Sequence, residues 1–137
     1  MAWVGSSFLL GGLLGDVIKT LTPKAEQSAV VYITPEEKLQ KIVDAKLNEL
    51  MTTNYFEHEN TDGCNLDCRT QKEGWKGLWL GENLYYGTCD LTNAINLWNQ
   101  SPAHKEILES EFNFGNLVIG QADEKGYCYM VLGLALK

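Results

Sequence analysis

The chain has 137 residues, the length of one ordinary domain; it is 45% hydrophobic and 21% charged, which supplies one core and excludes disorder, collagen and a multi-pass membrane protein. Its formal net charge is −7, from 11 basic and 18 acidic side chains. Lys and Arg are scattered singly, so the chain shows neither the basic stripe of a nucleic-acid binder nor a polybasic membrane anchor.

Phe8 to Ile18 is an apolar run, shorter than the roughly 20 residues of a membrane span. It lacks the basic start and small-residue cleavage site of a signal peptide. Leu10, Leu13, Leu14, Val17, Ile18 and Leu21 share one helical stripe. Residues 1–29 therefore read as an amphipathic first helix and polar connector, packed on the domain of residues 30–137. The sharper alternative is an anchor or docking segment that touches a membrane or a larger complex through residues 1–22, with Trp3 and Phe8 extending its greasy end. Val30, Val31 and Ile33 suit a short extended segment.

Thr34–Pro35–Glu36–Glu37 has the pattern of a capping box with proline at the first helical position. It predicts a helix to about Thr53, with Leu39, Ile42, Val43, Leu47, Leu50 and Met51 as its apolar stripe. Residues 54–77 read as irregular, rich in turn residues at Asn60–Gly63 and pinned by Trp75 and Trp79. A loop of this length in a small domain is functional or stapled. A strand is expected over 80–86, where Tyr85 and Tyr86 suit cross-strand packing better than ligand binding. Asp90 can cap a helix to about Asn99 with Leu91, Ala94, Ile95 and Trp98 inward. Ser101–Pro102 opens a short helix carrying His104 and Ile107. Strands over 115–121 and 127–136, joined by a turn at Asp123–Gly126, complete an α+β order.

Four cysteines, Cys64, Cys68, Cys89 and Cys128, fit two disulfides and an oxidising compartment, with three connectivities open. Free buried thiols are one competing reading. A zinc site on Cys64 and Cys68 is another, weakened because Cys89 and Cys128 lie far from that pair and from each other in sequence.

Four segments, in order, resemble the CAP superfamily of cysteine-rich secretory and pathogenesis-related proteins in its compact bacterial form. Asn54–Tyr55–Phe56–Glu57–His58, followed by Asp62–Gly63 and Arg69, is similar to the "YFSH" segment. Gly81–Glu82–Asn83–Leu84 is similar to "GEN", and Trp98 to Leu108 (WNQSPAHKEIL) to "WMNSPGHRxNIL". Phe114 to Gly120 stands in place of "IGVG". The match runs from about Thr34 to Leu136, and residues 1–29 carry no family motif. Lys105 replaces the usual arginine, and Ser101 stands where many eukaryotic relatives have a further acid.

The resemblance implies a three-layer α-β-α sandwich with a central, mostly antiparallel sheet. It also implies a cleft lined by His58, Glu82 and His104. Two neutral imidazoles and a carboxylate suit a divalent ion such as zinc. Equally, the three can be a structural hydrogen-bond network. A metal-activated water would need a base, which Glu82 cannot easily be while also a ligand, unless Glu57, Glu59 or Glu106 turns inward. Ser101 reads as a helix cap rather than a nucleophile. The expected function is an extracytoplasmic, non-enzymatic binding or structural domain, taking a protein partner, a lipid-like ligand or a metal. The alternatives are a metal-dependent hydrolase of the envelope and an accessory subunit docked by the apolar N-terminus.

Overall fold

The computed structural model describes residues 34–137. The expectations for residues 1–33, namely the first helix, the extended segment and the 1–29 boundary, lie outside the described residues.

Helix α1 spans Glu37–Thr53 and buries Leu39, Ile42, Val43, Leu47 and Leu50, the stripe expected from the spacing. Met51 is exposed. The predicted cap is displaced by two residues. Thr34 is bridged to Phe114 and accepts from the Gly115 amide, so the incoming chain is held as a strand-like partner. The Glu36 amide donates to Asn116 Oδ1 at 3.1 Å. The Glu36 carboxylate becomes the cap, accepting from the Leu39 amide at 2.8 Å. Pairing to the sheet outcompetes the local capping box. At the other end Asn54 adopts the left-handed conformation, φ 57°, and closes the helix through its amide to Leu50 O.

Residues 54–77 are not wholly irregular: α2, Leu66–Lys72, lies within them, capped by Asn65. Cys64 and Cys68 pair across its first turn. Strand β1 spans Trp79–Thr88. Helix α3, Leu91–Gln100, is capped by Asp90, and α4, Pro102–Leu108, opens at Ser101 with proline in its first turn. Strands β2, Phe114–Ile119, and β3, Tyr127–Leu136, follow. The Asp123 carboxylate organises the turn between them by accepting the Lys125 and Tyr127 amides. Cys89 pairs with Cys128, fastening the end of β1 to the start of β3. All four cysteines are therefore in disulfides, and the zinc and free-thiol readings fall away.

The sheet has the order β1-β3-β2 and is antiparallel throughout. Alternation along β3 builds two cores. Cys128, Met130, Leu132 and Leu134 face α3 and α4, where they meet Ala94, Ile95, Trp98 and Leu108. Tyr129, Val131 and Ala135 face α1, where they meet Leu39, Val43, Leu47 and Leu50. This is the three-layer α-β-α sandwich. Trp98 also donates to Leu84 O at 2.8 Å, and Trp75 and Trp79 pack as half-buried clamps. Tyr85 is buried in the core, while Tyr86 stacks on Tyr129, so both act in packing. No described helix is long and apolar enough to cross a membrane.

Gly133 lets α1 lie close on the sheet. A Cβ there would stand 2.8 Å from both Leu39 Cδ1 and Val43 Cγ1, which are fully buried. Gly133→Ala is expected to destabilise the domain by about 1–3 kcal/mol through overpacking, read as a lower urea midpoint at unchanged slope.

Candidate ligand cleft

The register places the site. Glu82 pairs with Gly133 and so shares the α1 face, whereas Asn83 pairs with Leu132 and points to the α3–α4 face. One residue step along β1 thus gives Glu82 to the cleft and Asn83 to α4, where it donates to the His104 carbonyl.

Glu82 is 1% exposed and ionised in a closed network. Arg69 donates to both of its oxygens, at 2.9 and 2.7 Å, and also to the His58 carbonyl at 2.9 Å. His58 Nδ1 lies 2.9 Å from Glu82 Oε1. Burial alone pushes the Glu82 carboxyl up, but the His58 and Arg69 hydrogen bonds and the Arg69 charge outweigh it and hold the group below its ordinary value. An ionised carboxylate only accepts, so His58 must carry its proton on Nδ1, which leaves Nε2 as the free nitrogen of the neutral ring. His58 is half exposed, at 50%, and stands at the mouth.

Behind this pair sits Lys46, fully buried, donating to Asn60 Oδ1 at 3.0 Å and more weakly to Glu59 O. Burial and the nearby Arg69 charge lower its pKa, partly countered by Glu82, Glu49 and Glu57. Lys46 and α2 together anchor the segment that delivers His58. The Cys64–Cys68 staple immediately precedes Arg69 and fixes the turn from which the guanidinium reaches inward.

His104 stands apart from the carboxylate. Its Nδ1 is 2.8 Å from Ser101 Oγ, and its carbonyl accepts from Asn83 Nδ2 at 3.1 Å. Burial, and repulsion from the His58 ring whenever that ring is protonated, lower its pKa, so the His104 ring is neutral at pH 7. Ser101 occupies the cap position as expected, but its hydroxyl makes no cap bond and serves His104 instead.

The cleft beside β1 has a volume of about 340 Å³. His58, Glu82 and Glu106 are its charged or titratable lining, and Leu66, Trp79 and Ile107 its main apolar walls; His104 is not among the residues that line it. Among the described residues no three His, Cys, Asp or Glu side chains form a group that could hold a metal ion. Of the acids considered as spare bases, only Glu106 reaches the cleft wall.

Two residues of this site were not singled out in the sequence. Arg69 appeared only as part of a family segment, and nothing in its spacing announced a buried partner. Lys46 did carry a signal, because it falls four residues after Ile42 and four before Leu50 on the apolar stripe of α1. A cation on such a stripe must find acceptors.

No family model matches the chain, and no curated protein matches it. Solved structures do. An outer surface protein of Borrelia burgdorferi aligns with a TM-score of 0.73 at 18% identity, over 94% of this chain and 90% of that one. An extracellular protein of Bacillus anthracis containing an SCP domain aligns with 0.62 at 20% identity, over 77% of this chain and 34% of that one. A cysteine-rich secretory protein of Staphylococcus aureus aligns with 0.61 at 16% identity, over 89% and 37%. The chain therefore spans about a third of the length of the latter two. At these identities the likeness establishes the fold.

Proposed function

Taking the SCP, or CAP, fold as the premise, we propose that this chain is an extracytoplasmic, non-enzymatic binding domain whose cleft beside β1 takes a small ligand. Two disulfides in a domain of this size support an oxidising compartment. The extracellular and outer-surface descriptions of the structural neighbours agree with that placement. The observation that carries the binding reading is the state of Glu82. Its charge is spent on Arg69 and its oxygens are occupied, so the cleft's most buried acid serves the architecture. Fold alone assigns no chemistry.

A second reading, a metal-dependent hydrolase, draws on the two imidazoles. Each has its Nδ1 engaged, which leaves Nε2 to face a ligand, and His104 is kept neutral. Imidazole nitrogens suit zinc in kind, but of the two rings only His58 lines the cleft. Glu82 does not fit as the third ligand, because a guanidinium bonded to both its oxygens opposes the approach of a dication. A bound metal would supply Lewis acidity. The accessory-subunit reading rests on residues 1–22, outside the described residues.

Calorimetric zinc titration separates the first two readings. The expected result is affinity weaker than micromolar, with His58→Ala and His104→Ala altering stability and leaving zinc affinity unchanged. Micromolar or tighter binding, lost in both variants, would overturn the non-metal reading and direct work to peptide and ester hydrolysis.

A further inference from the structure

Two carboxylates line the cleft, and they differ in kind. Glu82 is compensated by Arg69 in its own network. Glu106, on α4, is exposed, and its side chain has neither a hydrogen bond nor an ion pair among the described residues. Its neighbour Lys105 pairs instead with Glu109, at 4.0 Å. The Ser110 hydroxyl, also in the wall, is spent on Ile107 O at 2.6 Å. The cleft thus offers one uncompensated negative charge over largely apolar walls.

Those walls include an aromatic face. A Cβ on Gly81 would stand 2.6 Å from two atoms of the Trp79 indole and 3.2 Å from Ile107 Cγ2. The absence of a side chain at Gly81 is therefore what lets the indole lie across the strand beside Ile107. Tryptophan is the best aromatic partner of a cation, through the negative potential over its ring. The volume, about 340 Å³, is at the small end for ligand sites.

We propose that the cleft takes a small organic cation: an ammonium group on a short aliphatic stem. The stem lies against Leu66 and Ile107, and the ammonium is shared between Glu106 and the Trp79 ring. The acidic balance of the chain favours the approach of such a ligand. This assignment rests on the binding reading of the cleft and adds the charge and size of what enters it.

The test uses the full chain with three probes of one length: n-hexylammonium, n-hexanol and n-hexanoate, each titrated by calorimetry and by amide NMR. Hexylammonium is expected to bind about tenfold more tightly than hexanol, and hexanoate more weakly than either. The shifts should centre on His58, Gly81 and Ile107. Glu106→Gln, a change at an exposed position, should bring hexylammonium down to the affinity of hexanol, and added salt should do much the same. Equal affinity for hexylammonium and hexanol, tighter hexanoate, or a Glu106→Gln variant that binds hexylammonium unchanged would overturn the cation assignment while leaving a binding cleft in place. No shift at the cleft with any of the probes would overturn both.

Discussion

Replacing Arg69 by methionine is expected to destabilise the domain by about 3–5 kcal/mol, as for other buried ion pairs that lose one partner. Arg69 is 6% exposed and Glu82 1%, so the carboxylate left behind cannot recover water. The pH dependence should change sign as well. In the native chain the folded pKa of Glu82 lies below its ordinary value of 4.5. Its contribution is therefore fully present above that value and is lost as pH falls through the folded pKa. Without Arg69 the interaction with His58 and the Lys46 charge are left to oppose burial, and the folded pKa is expected to rise above the unfolded one. The contribution is then present at low pH and lost as pH rises through the new value. Urea midpoints between about pH 3 and 8 should rise with pH for the native chain and flatten or fall for Arg69→Met. The double variant Arg69→Met, Glu82→Leu should recover much of the loss, because it removes both charges. Failure to recover would mean that the hydrogen bond from Arg69 to the His58 carbonyl, not the ion pair, carries the stability.

The two disulfides should differ in weight. Cys89 and Cys128 are 39 residues apart, and Cys64 and Cys68 only 4. Closing loops of these lengths in the unfolded chain is worth about 4 and about 2 kcal/mol respectively in the chain-entropy model. Cys89→Ser with Cys128→Ser is thus expected to cost about twice as much as Cys64→Ser with Cys68→Ser. Thermal unfolding checks the ratio. The smaller pair should nevertheless matter more at the cleft, because Cys68 adjoins Arg69. Its loss should perturb the His58 ring signals while the larger pair leaves them unmoved. A larger thermal shift from the short pair would show that its loop holds more than its own closure.

The parts of this fold that were legible in the sequence are those with long periods. The stripe from Leu39 to Leu50 and the alternation from Tyr127 to Leu136 each repeat enough times to name a buried face. The family segments around His58, Glu82 and Trp98 added the order of the layers. Helix α2 was missed because seven residues with a staple at one end show no stripe. The cap at Thr34 was misplaced because the competing partner, Phe114, is 80 residues away in the chain, and only folding brings it near. The site was legible in its ring and carboxylate, His58 and Glu82, but not in what joins them. That Arg69 neutralises Glu82, and that His104 turns to Ser101 rather than to the carboxylate, are facts of register and loop path. No spacing rule encodes them.

Glu82 is an ionised structural carboxylate, held by Arg69 and accepting a hydrogen bond from His58. The measurement that tests it most directly is the tautomer of His58, read from long-range ¹H–¹⁵N correlations of the imidazole at about pH 8, above the ordinary histidine range. A proton on Nδ1 and a bare Nε2 are expected, with the preference lost in Glu82→Gln. A proton on Nε2, or a tautomer balance indifferent to Glu82→Gln, would contradict it.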